Sequence, residues 1–213
     1  MNPIVERLRH LRQAGINALP GHDRFMEVSG YRRPSMQEVL RREPPPRESA
    51  VLALIHELEG VPHLLFMRRP EYDGVHSGQI AFPGGRREPG DPALEHTARR
   101  EFKEETGADA SGIELIGALS RVYIPPSNSL VTPFLAFTPA LGALSPDPRE
   151  VAELIDAPLD HVLRPDALRE GRRYVSALGT HAITPYYDVL GHEVWGATAM
   201  MVAELRVLFG ADL

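Results

Sequence analysis

Apolar and polar positions along the chain recur at two different periods. Within 2–14, Ile4, Val5, Leu8 and Leu11 return at helical spacing with Glu6, Arg7, Arg9 and Arg12 among them, which predicts an amphipathic N-terminal helix. Pro44-Pro45-Pro46 breaks the chain. It is expected to separate a helical extension over 1–43, packed on the core, from a second unit over 44–213. There, 50–58 and 63–69 around Glu59-Gly60-Val61-Pro62 read as a β-hairpin. Two further strands, 113–124 and 130–138, flank Pro125-Pro126-Ser127-Asn128. A strand from Val151, a short helix around 159–163, strands near 174–176 and 183–189, and a helix at about 197–209 complete the pattern. Mixed strands with helices to either side predict an α/β (α+β) class, an α/β/α sandwich around a mixed β-sheet.

The helix predicted over 92–106 carries the chemistry. Asp91 suits its N-cap, Pro92 its first position and Gly107 its C-terminal cap. At roughly 100° per residue, Leu94, Ala98 and Phe102 form one apolar stripe. Glu105 projects within that stripe, Glu101 and Glu104 lie along one flank, and Arg99, Arg100 and Lys103 fall towards the other side. A carboxylate on the buried side needs a partner. Three acids at i, i+3 and i+4 repel one another unless a cation offsets them, and oxygen ligands select a hard divalent ion. Just upstream, Ala81-Phe82-Pro83-Gly84-Gly85 reads as a strand end entering a tight glycine turn, where backbone can approach a ligand closely.

Arg100-Glu101-Phe102-Lys103-Glu104-Glu105-Thr106-Gly107-Ala108, with Gly85 before it, resembles the Nudix box. That pattern is Gly, five residues, Glu, seven residues, then Arg-Glu-apolar-x-Glu-Glu-x-Gly-apolar. Two departures stand out: Gly85 to Arg100 is one residue longer than the standard spacing, and the isolated Glu is replaced by Asp91, or by nothing if the insertion lies elsewhere. Further resemblance, to the coenzyme A pyrophosphatases of that superfamily, lies in Gly78-Gln79-Ile80-Ala81-Phe82-Pro83-Gly84-Gly85 and in Val194-Trp195-Gly196-Ala197-Thr198-Ala199. Where that subfamily has Leu-Leu-Thr-x-Arg-Ser, this chain has Leu64-Leu65-Phe66-Met67-Arg68-Arg69, and its intermediate Arg falls at Gly74.

The resemblance implies a Nudix fold and a hydrolase of phosphoanhydride bonds, with Mg²⁺ or Mn²⁺ held by Glu101, Glu104, Glu105 and the Gly84 or Gly85 carbonyl. It further implies that Glu101 or Glu104 takes the proton from the attacking water and that Arg100 orients the acids; spacing alone leaves Arg100 equally a surface arginine. Arg68, Arg69, His76, Gln79, Gly84 and Gly85 are candidate substrate contacts, and Glu150 or Glu153 a candidate distal acid. Trp195, Tyr186 and Tyr187 read as core or groove-lining side chains.

Composition narrows the partners. The 213 residues, 43% hydrophobic, suffice for one sizeable core. A formal charge of −6 argues against non-specific nucleic-acid binding, while a bound divalent ion and local arginines can still receive an anionic substrate. Zero cysteines exclude disulfides and thiolate chemistry. No apolar run is long enough to span a bilayer, and the charged N-terminus does not resemble a secretory signal, so a cytoplasmic enzyme is expected. The nine histidines show no His-x-x-x-His spacing, and no zinc site is expected.

Three readings remain open. The first is cleavage of coenzyme A or acyl-coenzyme A, a small nucleotide substrate, by a possible homodimer. The second keeps the chemistry on another substrate: ADP-ribose, NADH or a nucleoside triphosphate. The third is a non-catalytic nucleotide-binding module, against which the intact Glu101, Glu104 and Glu105 set argues.

Overall fold

The structure is a computed structural model that describes every residue except 1, 17–18, 30–33, 75, 176–177 and 212–213. In chain order its elements are α1 (Pro3–Ala14), α2 (Asp23–Ser29), α3 (Met36–Leu40), β1 (Arg47–Leu58), β2 (Val61–Arg68), β3 (Ile80–Ala81), β4 (Gly84–Arg86) and α4 (Leu94–Thr106). Then follow β5 (Glu114–Ala118), β6 (Val122–Ile124), β7 (Ser129–Thr138), β8 (Glu153–Pro158), α5 (Leu159–Leu163), β9 (Leu168–Val175), β10 (Thr180–Val189), β11 (His192–Trp195) and α6 (Gly196–Leu208).

β1 is the axis of a mixed eight-stranded sheet. It runs parallel to β7 over ten paired positions, from Arg47 opposite Ser129 to His56 opposite Thr138, and antiparallel to β2 and β4. Both faces of β1 are covered, so its apolar run is nearly continuous, as a buried parallel strand requires. Ala50, Leu52 and Leu54 point to one side and pack with Ala98 and Phe102 of α4. Ala53 and Ile55 point to the other, where α1, α6 and the inner residues of a second sheet, β9–β10–β11, build the larger core. The result is the expected sandwich, with a small sheet added to the α6 layer.

Several local readings change. The β1–β2 turn is two residues, Glu59 and Gly60, both with positive φ, so β2 begins at Val61. The stretch 113–124 is two strands, β5 and β6, that each pair with β7 and are separated where Leu119 donates its N–H to the Pro133 carbonyl. β9 and β10 extend further than the 174–176 and 183–189 segments, and Ser176 lies outside the described residues. Helices α2 and α3 and strand β11 lie outside the elements read from the sequence, although Ser35 and Glu38 form a capping box at the start of α3. Helix α1 buries Val5, Leu8 and Leu11 in the larger core, and Arg7 Nε donates to the Leu208 carbonyl. Among the described residues no helix is long and apolar enough to cross a membrane.

Candidate active site

Helix α4 begins at Leu94 rather than at Pro92, and Asp91 does not cap it. The Asp91 carboxylate is taken up elsewhere: it accepts from Glu88 N (3.0 Å), Thr97 Oγ1 (2.9 Å), Arg100 Nε (3.1 Å) and Arg100 Nη2 (3.0 Å). These bonds, Arg100's foremost, hold its carboxyl far below the usual carboxylate range. Gly107 closes the helix in the left-handed region, as expected.

Arg100 is a five-donor hub. Besides Asp91, Nη1 donates to Glu101 Oε1 (3.0 Å) and Glu104 Oε2 (2.8 Å), and Nη2 to the Arg86 carbonyl (3.0 Å). The helical wheel sends Arg100 away from the acids, but its long side chain curls back to them. A planar fork can serve several acceptors at once in a way an ammonium cannot.

The acids occupy three environments. Glu105 is buried, inside the apolar stripe as its spacing requires, and Oε2 accepts the Gly84 N–H at 2.7 Å. Burial pushes its carboxyl up to about 7; Arg69 and the Gly84 N–H oppose this, while Glu101 and Glu150 add to it. Glu101 is also raised, first by burial, with Arg100 opposing and Glu104 and Glu150 adding. Glu104 is half exposed and turns to Arg100.

The glycine turn is built for close approach. Strand β4 sets Gly84 opposite Val51 and Gly85 opposite Ala50. Gly84 has φ 154°, and a Cβ there would lie 2.5 Å from Val51 Cα. A Cβ on Gly85 would lie 2.5 Å from Glu101 Oε1, so this glycine makes room for the carboxylate.

A cavity of about 1460 Å³ opens over these groups. Glu101, Glu105, Arg69, His76, Gln79, Gly84 and Gly85 line it. Arg69 Nη2 donates to the Gly84 carbonyl (3.3 Å) and lies 3.9 Å from Glu105 Oε1. His76 Nδ1 is 3.1 Å from Gln79 Oε1, and burial lowers its pKa, with Arg69 contributing. Two expected members are outside its wall. Arg68 alternates to the other side of β2, pairs with Glu153 at 3.0 Å and borders a smaller hollow. Glu104 is not part of the cavity wall.

Of the two distal acids, Glu150 lines the cavity and Glu153 does not. The loop between β7 and β8 carries Glu150 there. Ser145 N donates to the Thr106 carbonyl at the end of α4, and Ala152 N to the Arg68 carbonyl at the end of β2. Sequence reasoning missed Arg149, Ser49 and the apolar part of the wall, Ile124, Pro125, Met200 and Met201. The β6–β7–β1–β4 pairing, the β7–β8 loop and the approach of α6 bring these together; Thr198 Oγ1 anchors that helix to the Ile80 carbonyl at 3.0 Å. Trp195 lines the cavity and Tyr187 is core, as expected, whereas Tyr186 stacks on Arg173.

Converging carboxylates, a close-approach glycine turn and a large cleft are what a cation–diphosphate complex needs. The site's oxygen donor set suits a hard divalent ion, and burial raises the pKa of both Glu101 and Glu105, the direction that a bound cation opposes.

The chain is similar to known proteins. A family profile described as the NUDIX domain matches residues 46–178. The chain is 35% identical over 160 residues to the mitochondrial coenzyme A diphosphatase NUDT8 of Homo sapiens, covering 73% of this chain and 66% of that protein. It is 33% identical to the Mus musculus protein of the same name, covering 75% of it. It is also 33% identical to the uncharacterized Nudix hydrolase NudL of Photorhabdus laumondii, covering 78% of this chain and 90% of the relative. The crystal structure of a MutT/nudix family protein from Enterococcus faecalis superimposes with a TM-score of 0.52 at 16% identity, covering 96% of this chain and 72% of that one, which shows the fold. The chain belongs to the Nudix family and is a pyrophosphohydrolase acting on phosphoanhydride bonds.

Proposed function

We propose that the chain hydrolyses the diphosphate bond of coenzyme A or acyl-coenzyme A, releasing phosphopantetheine or its acyl form and adenosine 3′,5′-bisphosphate. One observation carries this reading: a single cavity joins a carboxylate pole, Glu101, Glu105 and Glu150, to an apolar wall that includes Ile124, Pro125, Met200 and Met201. A substrate with a diphosphate at one end of a long, weakly polar arm matches both. The likeness to proteins named coenzyme A diphosphatases supports the same substrate.

In this reading Glu101, Glu104, Glu105 and the Gly85 carbonyl hold Mg²⁺ or Mn²⁺, which when bound neutralises the diphosphate and makes water a readier nucleophile. Glu101 lines the cavity within reach of a bound water and accepts its proton. Arg100 fixes Glu101 and Glu104 by direct hydrogen bonds and acts by positioning them. Arg69 supplies positive charge beside Gly84 for the diphosphate, and His76 and Gln79, hydrogen-bonded to each other, offer further contacts. Arg68, committed to Glu153, is left out. Residues 1–43 serve as a helical extension bracing α6, through Arg7 to Leu208 and Gly21 N to Glu204 Oε1 (3.1 Å).

The test is product identification by mass spectrometry after incubating the purified chain and Mg²⁺ or Mn²⁺ with a pool of coenzyme A, NADH, ADP-ribose and dGTP. Selective release of phosphopantetheine and adenosine 3′,5′-bisphosphate is expected. Preferential cleavage of another member overturns the substrate and leaves the diphosphate chemistry in place.

A further inference from the structure

Three strands place two histidines and an aspartate together on the α4 side of the sheet, far from the cavity. His56 on β1 and His63 on β2 are directly opposed in register, and Asp156 on β8 lies diagonal to His63 across the next ladder. All three share the face that presents Leu52, Leu54 and Leu65 to α4. His56 lies five residues beyond Val51, the partner of Gly84, or roughly 17 Å along the strand at about 3.3 Å per residue. This cluster therefore belongs to a separate locus.

Its polar atoms converge on one point. His56 Nε2 is 2.8 Å from Asp156 Oδ1, and His63 Nδ1 is 3.5 Å from the same oxygen. All three atoms lie within 4.8 Å of one another. His63 Nδ1 is buried and, its 3.5 Å approach to that oxygen aside, makes no hydrogen bond, an under-satisfied arrangement that costs free energy unless something else takes up the nitrogen. Corners of a zinc tetrahedron with bonds of about 2.0–2.1 Å are about 3.3 Å apart. The two observed separations bracket that spacing.

We propose that His56, His63 and Asp156 form a metal site of zinc type that ties β1, β2 and β8 together. Two borderline imidazole nitrogens beside one hard carboxylate favour zinc over the hard ions drawn to all-oxygen sites. Asp156 is 30% exposed on its side chain, so water reaches the fourth position. No motif spacing marks this site, because its ligands are neighbours across strands instead of along a helix.

The test uses the full chain, stripped with chelator and titrated with Co²⁺ in excess Mg²⁺, which occupies oxygen-ligand sites. Wild type and Glu105→Gln are both expected to bind one equivalent with the strong visible absorption of tetrahedral cobalt. His63→Gln and Asp156→Asn should bind it at least tenfold more weakly. Zn²⁺ at about 100 times its Kd should raise the thermal midpoint of wild type by roughly 5–10 °C and leave those two variants unmoved. Only weak octahedral absorption in wild type, loss of the strong band in Glu105→Gln, or its full retention in both ligand variants overturns the proposal. Circular dichroism checks folding, and Asp156→Asn, at a partly exposed position, decides should His63→Gln not fold.

Discussion

Glu105→Gln should make the metal-free protein more stable at alkaline pH while removing its activity. The native carboxyl is buried, and its pKa is raised from 4.5 to about 7, chiefly by desolvation. At about 1.4 kcal/mol per pKa unit, the folded state disfavours the ionised form by about 3 kcal/mol relative to the unfolded chain. The sign follows directly. Below pH 4.5 the group is protonated in both states and its contribution is fully present. As pH rises to about 7 the unfolded state ionises first, and this stability is lost; above 7 the cost is constant. Glutamine is nearly isosteric, still accepts the Gly84 N–H through its amide oxygen, and does not titrate. With chelator present, variant and wild type should unfold alike near pH 4, and at pH 8 the variant should be more stable by about 3 kcal/mol, or roughly 6–12 °C in midpoint. Thermal melts across pH 4–8 in chelator measure this. In Mg²⁺ the order should reverse, since the proposed ion binds a carboxylate more tightly than a neutral amide, and turnover should fall by at least about two orders of magnitude. A variant less stable than wild type at every pH would refute the claim that burial strains this carboxylate. Near-native turnover would remove it from the chemistry.

Gly85→Ala should lower turnover without preventing folding, because its Cβ would meet Glu101 Oε1 at 2.5 Å and displace that carboxylate; steady-state kinetics and circular dichroism check both halves. Gly84→Ala should destabilise the fold itself by about 1–3 kcal/mol from its backbone conformation alone, with more from the clash against Val51, as read by urea unfolding. Arg100→Lys keeps the charge and loses the fork to Asp91, Glu101, Glu104 and the Arg86 carbonyl. A loss of about 10–100-fold in turnover or in metal affinity is expected, and unchanged values of both would refute a positioning role. Arg69→Ala should raise KM by about tenfold or more, as loss of a charged contact does, whereas Arg68→Ala should leave KM near native. Equal effects would contradict the separation of the two side chains across β2.

The sequence by itself determined the reaction class, because that chemistry lives in a local pattern. Helical spacing along 94–106 already places Phe102 and Glu105 on the buried side and Glu101 and Glu104 beside them, and two adjacent glycines announce a close-approach turn. The sandwich was legible for the same reason: period-2 and period-3.6 patterns depend on near neighbours. Tertiary structure decided everything that depends on which distant segments meet. Asp91 left the cap position because Arg100 and Thr97 claimed its carboxylate, and Arg68 and Arg69 parted company because adjacent strand residues face opposite sides. Glu150 rather than Glu153 reached the acids because its loop is pinned to the ends of both α4 and β2. Likewise, His56, His63 and Asp156 are brought together only by the register of three strands. Hydrogen-bond partners and cross-strand register are set by free energy summed over the whole fold, and a linear pattern carries no record of them.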